Sequence, residues 1–323
     1  MKPRLASFTE PDYQAPAWMR SRHLQTIWPA VIGPGPRISY RRERVTTPDN
    51  DFIDLDWTTS TPAGEPGSGP LLVLFHGLEG NSESHYARSL MTHVAAAGWR
   101  GVVVHWRGCS GEPNLLARAY HSGDSAEVDW IVRRLRPDFV AGVSLGANAL
   151  LKWAGEQGSK ADIVKAIAGV SAPQDLHAGA LALSRGFNRL YCAHFLKTLK
   201  RKSILKLAHF PDVYDRTAVM AARDFFDFDG LVTAPLHGFD SAVDYWTRSS
   251  CRQFLGGIAV PTLVLNARND PFLPEASLAG PAEVSGQVLL QYPAEGGHVG
   301  FIDRRLGADW LPQHLMGFFR RFA

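Results

Sequence analysis

The chain has 323 residues, of which 45% are hydrophobic and 20% charged, a composition ordinary for a globular protein with a large core. Its 34 lysines and arginines against 31 aspartates and glutamates give a net charge of +3, too small to indicate a nucleic-acid-binding protein. The three cysteines form neither a disulfide framework nor a metal-binding spacing, and no apolar run is long enough to predict a transmembrane helix.

Residues 1–35 contain several prolines and lack the apolar stretch of a secretory signal, so we expect an irregular N-terminal segment in a cytoplasmic protein. Apolar and polar residues alternate imperfectly over 40–47 and regularly over 52–57, with a turn at 48–51 between the two stretches. This pattern predicts an antiparallel hairpin. The stretch 61–70 is rich in Gly and Pro and is predicted to be a linker. Its glycines lack the Gly-Lys-Ser/Thr ending of a phosphate-binding loop.

From residue 71 onward, strand and helix patterns alternate. The continuous apolar run 71–75 is typical of a strand buried on both faces. Repeated alternation predicts an α/β fold with a mostly parallel central sheet and helices on both faces, and we assign 36–175 and 251–323 to this core. The other core elements predicted, in chain order, are a helix over 84–97, a strand over 101–106, an amphipathic helix over 125–135, strands over 139–141, 164–170, 262–266 and 288–292, and a C-terminal amphipathic helix over 310–322.

Within 176–250 strands and helices no longer alternate, and the sequence is helix-forming and rich in aromatic and basic residues. We predict a helical cap inserted over the strand ends, where α/β folds bind their ligands. Its aromatic residues offer a lining for an acyl-chain channel, although half of them could be core. A basic cluster is expected to be a solvated face, with transient contact to an anionic membrane surface as the alternative. The aromatic residues are Phe187, Tyr191, Phe195, Phe225, Phe226, Phe228 and Phe239, and the basic cluster is Lys197, Lys200, Arg201, Lys202 and Lys206.

The segment Gly142–Gly146 reads G-x-S-x-G and stands between a buried strand and a run of helix-forming residues. Strand, glycine-flanked tight turn and helix form the context of a nucleophile elbow, in which the turn raises the serine hydroxyl above the sheet edge. The following helix directs its N-terminal dipole and free N–H groups toward that hydroxyl. Ser144 is therefore the predicted nucleophile.

A serine hydroxyl is a poor nucleophile near neutral pH, so it needs a base, and the base needs a carboxylate to fix its tautomer. In this architecture the chain order is Ser, then Asp or Glu, then His, each in a loop after a strand. Asp270 follows the strand that ends near 266, and His298 lies in a glycine-rich loop after the strand that ends near 292. We predict these two as acid and base. Asp175, just past an earlier strand, is the alternative acid.

Acyl transfer also requires donors for the developing oxyanion. The expected donors are two backbone N–H groups, one from the residue after the nucleophile and one from the loop after the third strand. These are the N–H groups of Leu145 and Leu78. His76, which begins that loop, is expected to order it rather than act as a second base.

Other reactive side chains are weaker candidates. Cys109 has no base placed for it and is predicted to be a small buried thiol. His23, His85 and His121 show no metal-binding spacing, so no metal and no cofactor are predicted. Three further polar residues are expected to order loops beside the pocket: Arg107, Glu112 and Tyr120.

With these residues placed, the chain resembles the α/β-hydrolase superfamily and, within it, the YheT-like branch of esterases and lipases. The resemblance implies the α/β-hydrolase fold and a Ser-Asp-His triad, and the family pattern falls on Ser144, Asp270 and His298. It spans nearly the whole chain and rests on six segments in one order: His23–Thr26, His76–Gly80, Arg107–Asn114, Tyr120–Gly123, Gly142–Asn148 and Gly296–Phe301.

Relatives in that branch are carboxylesterases, acylglycerol or phospholipid lipases and, in yeast, ester-forming acyltransferases. The expected function is therefore a serine hydrolase that cleaves short- to medium-chain acyl esters or acylglycerols through an acyl-enzyme. The alternatives are an acyltransferase with an alcohol acceptor and a non-catalytic ligand-binding module. The expected partner is a small-molecule ester, with neither nucleic acid nor an obligate protein partner.

Overall fold

The computed structural model describes residues 12–31, 33, 35–59 and 68–323. The first eleven residues of the predicted irregular segment and most of the predicted linker 61–70 lie outside the described residues.

Eight strands form one sheet in the described part of the chain, in the order β1-β2-β4-β3-β5-β6-β7-β8. The pairs β1–β2 and β2–β4 are antiparallel, and all other neighbours are parallel. The mostly parallel sheet and the N-terminal hairpin are thus confirmed. The strands are β1 Tyr40–Thr46, β2 Phe52–Thr58, β3 Leu71–Phe75, β4 Arg100–Val104, β5 Phe139–Val143, β6 Ala166–Val170, β7 Thr262–Leu265 and β8 Val288–Gln291.

Helices cover both faces of this sheet. Alternate strand residues supply the two cores: Val73 and Phe75 pack toward α3 and α4, whereas Leu72 and Leu74 pack toward α2 and α11. The helices are α1 Arg22–Val31, α2 His85–Ala96, α3 Ser125–Leu135, α4 Leu145–Gln157, α5 Leu176–Leu183, α6 Asn188–Lys206, α7 Arg216–Ala221, α8 Phe225–Phe228, α9 Ala234–His237, α10 Ala242–Ser249 and α11 Trp310–Phe319.

The register of the central strands sets where the site forms. Gly142 of β5 lies opposite Phe75 of β3 and Gly169 of β6, so these three strands end at the same edge of the sheet. The loops that follow them therefore meet above that edge, as ligand-binding loops do in open α/β sheets.

The prediction of an irregular segment over 1–35 is wrong for Arg22–Val31, which forms α1. Pro29 lies inside this helix and cannot donate a backbone hydrogen bond to the carbonyl of Gln25. Tertiary packing outweighs that loss, because the loop around Gly300 lies directly against the Gln25 carbonyl. A helix of ten residues is stabilised mainly by such packing rather than by its own propensity.

The helices α5 to α10 occupy the interval predicted as a cap and have small hydrophobic cores of their own, one of them built around Cys192, Leu196 and Phe228. On this basis we propose that 176–250 is a cap and that 36–175 together with 251–323 form the sheet core. No helix of the described residues combines the length and apolar character that crossing a membrane requires.

Candidate active site

Ser144 stands on a sharp turn between β5 and α4. Its φ of 53° lies in the region that favours glycine, and its N–H donates to the carbonyl of Val170 at 2.8 Å. The flanking glycines make the turn feasible, since a Cβ on Gly142 would lie 2.6 Å from the Gly146 carbonyl oxygen. A Cβ on Gly146 would in turn lie 2.6 Å from the carbonyl oxygen of His76. The predicted strand, turn and helix around Ser144 are all present.

Three side chains from separate loops form one continuous chain of hydrogen bonds. The Nε2 of His298 lies 2.9 Å from Ser144 Oγ, and its Nδ1 lies 2.7 Å from Asp270 Oδ2. The other carboxylate oxygen of Asp270 accepts the Phe272 N–H at 2.8 Å. The Asp270 side chain is fully buried, so its carboxylate is shielded from solvent, and these two hydrogen bonds fix its orientation. The ring of Phe272 covers the imidazole at 4.3 Å between centroids.

The loop after β3 carries the predicted oxyanion donor Leu78 and lies directly against Ser144. A Cβ on Gly77 would come 3.1 Å from Ser144 Cβ, so the two backbones approach closely. Leu78 and Leu145 both line the cavity beside Ser144. Within the described residues, neither of their N–H groups has a protein acceptor. These two N–H groups are therefore the ones that we propose as donors to an oxyanion.

Surrounding tyrosines hold this loop in place. The Tyr86 hydroxyl accepts the Gly77 N–H at 2.9 Å. The Tyr120 hydroxyl accepts the Glu79 N–H at 2.9 Å and donates to the Glu79 carboxylate at 2.8 Å. Glu79 has a φ of 55°, so these contacts maintain a backbone conformation that residues other than glycine rarely adopt. Tyr120 therefore orders the loop, as expected from the sequence.

His76 has the same ordering function. Its Nδ1 lies 2.7 Å from the Gly77 carbonyl, its Nε2 accepts the Trp106 N–H at 3.2 Å, and the Trp106 indole donates to the His76 carbonyl. Complete burial lowers the pKa of the His76 imidazole to about 3, so the ring is neutral at physiological pH. With both ring nitrogens engaged, His76 is not available as a second base.

The loop with His298 has supports that the sequence did not predict. Gln25 Oε1 accepts hydrogen bonds from the Gly296 N–H and from the Asn269 side chain, both at 2.9 Å. The Thr26 hydroxyl accepts the N–H of His298 at 3.0 Å. The segment around Gln25 and Thr26 was recognised as part of the family resemblance, but nothing in a single sequence shows which distant loop it contacts.

A cavity of about 630 Å³ lies between the sheet edge and the cap, with Ser144, Leu145 and His298 in its wall. Most of the remaining wall is apolar. Of the seven aromatic cap residues considered as channel lining, three face the cavity, whereas Phe187 and Phe226 are 50% and 58% exposed on the surface. The aromatic and aliphatic cap residues in the wall include Leu176, Ala180, Leu183, Phe195, Leu199, Phe225, Phe228, Val232 and Leu236.

The prediction that the basic cluster of α6 is a solvated face is wrong for two of its five residues. Lys202 donates to the Glu79 carboxylate at 2.7 Å, and Lys206 donates to the Asn114 side chain at 2.8 Å. Lys200 instead bonds within the cap, where it donates to the carbonyl of the exposed residue Met220 at 2.9 Å. The long stems of Lys202 and Lys206 cross from the cap to the core, so their charged ends are paired with acceptors of the core.

The alternative candidates have structural roles. The Asp175 carboxylate accepts the Ala178 N–H at 3.0 Å and caps α5. Cys109 is buried, and burial raises the pKa of its thiol to about 11, so it is not a thiolate nucleophile at neutral pH.

Arg107 forms ion pairs with Asp49, Asp51 and Glu127, and Arg44 pairs with Glu112. Both arginines thus tie loops together beside the pocket.

The model of the α/β-hydrolase fold family matches residues 70–305, most of the chain. The chain belongs to the α/β-hydrolase fold family. It is 37% identical over 91% of its length to a protein of Escherichia coli (strain K12) named "Putative esterase YheT", and covers 91% of that protein. It is 31% identical to the phospholipase ABHD3 of Mus musculus, over 90% of this chain and 73% of that one.

Further similarities fit this family. The monoacylglycerol lipase of Saccharomyces cerevisiae is 28% identical over 87% of this chain and 64% of its own length. Among solved structures, an esterase from Exiguobacterium antarcticum superposes with a TM-score of 0.55 at 17% identity, over 88% of this chain and 100% of that one. At that identity the superposition supports the fold alone. The chain is thus an α/β-hydrolase whose relatives include esterases and lipases.

Proposed function

We propose that the chain is a cofactor-free serine hydrolase that cleaves carboxylic esters of short- to medium-chain acyl groups, including acylglycerols. The observation that carries the proposal is the hydrogen-bonded chain from Ser144 Oγ through His298 to the buried Asp270 carboxylate. Such a chain is the arrangement by which a base removes the proton of a serine hydroxyl.

In the first half of the reaction, Ser144 Oγ attacks the ester carbonyl while His298 Nε2 takes the hydroxyl proton. Negative charge develops on the carbonyl oxygen, where the N–H groups of Leu78 and Leu145 stabilise it. Asp270 holds the imidazole in the required tautomer and stabilises the imidazolium that forms. The tetrahedral intermediate then expels the alcohol, which takes its proton from His298, and the acyl group remains on Ser144.

In the second half, His298 takes a proton from a water molecule that attacks the acyl carbonyl. The second tetrahedral intermediate collapses, Ser144 regains its proton and the carboxylic acid leaves. The apolar cavity beside Ser144 supports an acyl chain as the part of the substrate bound there, because its wall is built from aliphatic and aromatic cap side chains. If an alcohol replaced the water, the same residues would form a new ester.

The test is hydrolysis of p-nitrophenyl esters from acetate to palmitate by the wild type and by Ser144→Ala. We expect activity that peaks at one chain length, and loss of at least about a thousandfold in kcat for Ser144→Ala. Ser159→Ala, which changes an exposed serine outside the cavity, is the matched control and should retain wild-type activity.

Two results would contradict the proposal. One is full activity in Ser144→Ala, and the other is a wild type that is inactive across the whole ester series. A second arm adds ethanol or glycerol to the assay and measures new ester by mass spectrometry. Ester formation that exceeds acid release would favour the acyltransferase instead.

A further inference from the structure

The helix α1 lies against the loop that carries His298, and the reaction described above does not use it. Gln25 on this helix is fully buried, and its Oε1 accepts hydrogen bonds from the Gly296 N–H and from Asn269 Nδ2, both at 2.9 Å. The Asn269 Oδ1 accepts the N–H of Gly297 at 3.0 Å. A single side chain thus joins the loop of the acid, which follows β7, to the loop of the base, which follows β8.

Thr26 contacts the base residue itself. Its hydroxyl donates to the Arg22 carbonyl at 2.8 Å, so the hydroxyl proton is already committed within the helix. The oxygen is therefore free to accept, and it accepts the backbone N–H of His298 at 3.0 Å. This bond holds the backbone from which the imidazole projects.

The loop packs tightly against the helix and contains strained backbone. Gly297 has a φ of 60°, and a Cβ there would lie 2.8 Å from the Gln25 Cβ and 2.9 Å from the Thr26 Oγ1. Val299, next to His298, also has a φ of 60°, and its N–H donates to the Ser171 hydroxyl at 3.1 Å. Backbone conformations of this kind persist where surrounding contacts impose them.

We propose that Gln25 and Thr26 are positioning residues that set the imidazole of His298 between Ser144 and Asp270. The inference rests on the proposed function and adds the helix α1 to the machinery of that site. Because neither residue lines the cavity with Ser144, their loss leaves substrate binding intact and slows the chemical steps. Misplacement of a reacting group by about 1 Å lowers rates by about a hundredfold.

The test compares Thr26→Val with its conservative counterpart Thr26→Ser on the best p-nitrophenyl ester. Valine keeps the shape of threonine and removes the acceptor, whereas serine keeps the acceptor. We expect kcat of Thr26→Val to fall by about ten- to a hundredfold with KM unchanged, and Thr26→Ser to retain most of the activity. Gln25→Met, which removes the amide acceptor at similar size, should lower kcat in the same way.

The matched control is Thr92→Val. Thr92 in α2 makes the same bond to the carbonyl four residues before it, Arg88, at 2.8 Å, but does not contact the His298 loop. The variant Thr92→Val therefore loses the same helical hydrogen bond and should keep wild-type kcat.

The rate of labelling by a fluorophosphonate, which requires an activated serine but no natural substrate, should fall in Thr26→Val in parallel with kcat.

Melting temperature and circular dichroism are measured for every variant, and rates are corrected for the folded fraction. Corrected kcat and labelling rates equal to wild type in both Thr26→Val and Gln25→Met would overturn the inference. A loss of kcat/KM that comes entirely from a higher KM would also overturn it. The same holds if kcat falls equally in Thr92→Val. If the wild type is active and Ser144→Ala is not, these outcomes leave the proposed function standing. Full activity in Ser144→Ala would instead contradict the proposed function itself.

Discussion

Ser144 is held in a left-handed backbone conformation that a residue with a side chain adopts at an energetic cost. The cost is offset by contacts that the turn makes possible. The N–H of Ser144 donates a hydrogen bond to the carbonyl of Val170 in β6, and α4 begins at the next residue. The hydroxyl is consequently fixed 2.9 Å from the imidazole rather than free to rotate among neighbours. Preorganisation of this kind lowers the cost of reaching the transition state.

The role proposed for Asp270 leads to a residue-scale prediction. In Asp270→Asn the side chain keeps its size, but its amide can present an N–H to the imidazole and favour the wrong tautomer. We expect kcat to fall by about three to four orders of magnitude with a smaller change in KM, measured on the best p-nitrophenyl ester.

Asp175→Asn is the matched control, since Asp175 follows an earlier strand and caps α5. An asparagine cap preserves most of the helix stabilisation, so kcat should stay near wild type. If the two substitutions had the reverse effects, Asp175 would be the acid of this site.

The three residues proposed for catalysis could be located from sequence because each follows a predicted strand in a fixed chain order. The residues that support their loops by hydrogen bonds could not be located in this way. Gln25 contacts Asn269 across 244 residues, and no local pattern connects two such positions before the fold is known. Ser171, whose hydroxyl accepts the Val299 N–H, was missed for the same reason. Periodicity and turn signals report on neighbours in sequence, not on contacts between loops.

At the scale of elements, α6 connects the cap to the loop that carries Leu78. Lys202 of α6 forms an ion pair with Glu79 at 2.7 Å and also lies 3.3 Å from the Cys109 sulfur. Glu79 is the residue directly after Leu78, and its side chain accepts from Tyr120 as well. The position of the cap is therefore linked to the conformation of this loop.

The link predicts that Lys202→Met impairs catalysis although Lys202 is distant in sequence from every residue proposed for catalysis. Removing the cation leaves the Glu79 carboxylate with one fewer partner and loosens the loop. We expect kcat on the best ester to fall by about tenfold. Lys200→Met is the matched control: Lys200 donates to the Met220 carbonyl within the cap, so its loss should lower the melting temperature while kcat stays near wild type. Equal kcat in the two variants would contradict the link.

Elements of the sheet core could be predicted because buried parallel strands are continuous apolar runs and the flanking helices have a clear 3.6-residue period. α1 was missed because Pro29 and the surrounding prolines are typical of irregular segments, and its stability comes from contacts with Gly297 and Gly300. The prediction of a solvated face was wrong for Lys202 and Lys206 because charge indicates such a face only when no partner element covers the helix.

For the whole molecule, the sheet core supplies Ser144 and His298 and the cap supplies most of the apolar wall of one shared cavity. The size of this cavity, about 630 Å³, could not be derived from composition, because it depends on how the cap helices pack above the sheet edge. Cap side chains should therefore set which acyl chain is preferred, while core residues set the rate of bond cleavage.

Ala180 of α5 lies in the cavity wall and provides a test of this division of roles. In Ala180→Phe the larger ring fills part of the acyl space, so the activity maximum should move toward shorter chains. We expect kcat/KM for the longest ester that the wild type accepts to fall by about tenfold or more, with acetate hydrolysis little changed. Ala182→Phe, on the same helix but outside the cavity wall, should keep the wild-type profile. An unchanged profile in Ala180→Phe would show that the acyl chain binds elsewhere.

The proposed mechanism requires that Ser144 becomes acylated during turnover. The most direct measurement is rapid acid quenching of the enzyme during turnover of its best p-nitrophenyl ester, followed by intact-mass and peptide mass spectrometry. We expect a mass increase of one acyl group on the peptide that contains Ser144, and no such adduct in Ser144→Ala. Turnover with the acyl group on another residue, such as Cys109, would contradict the proposed mechanism.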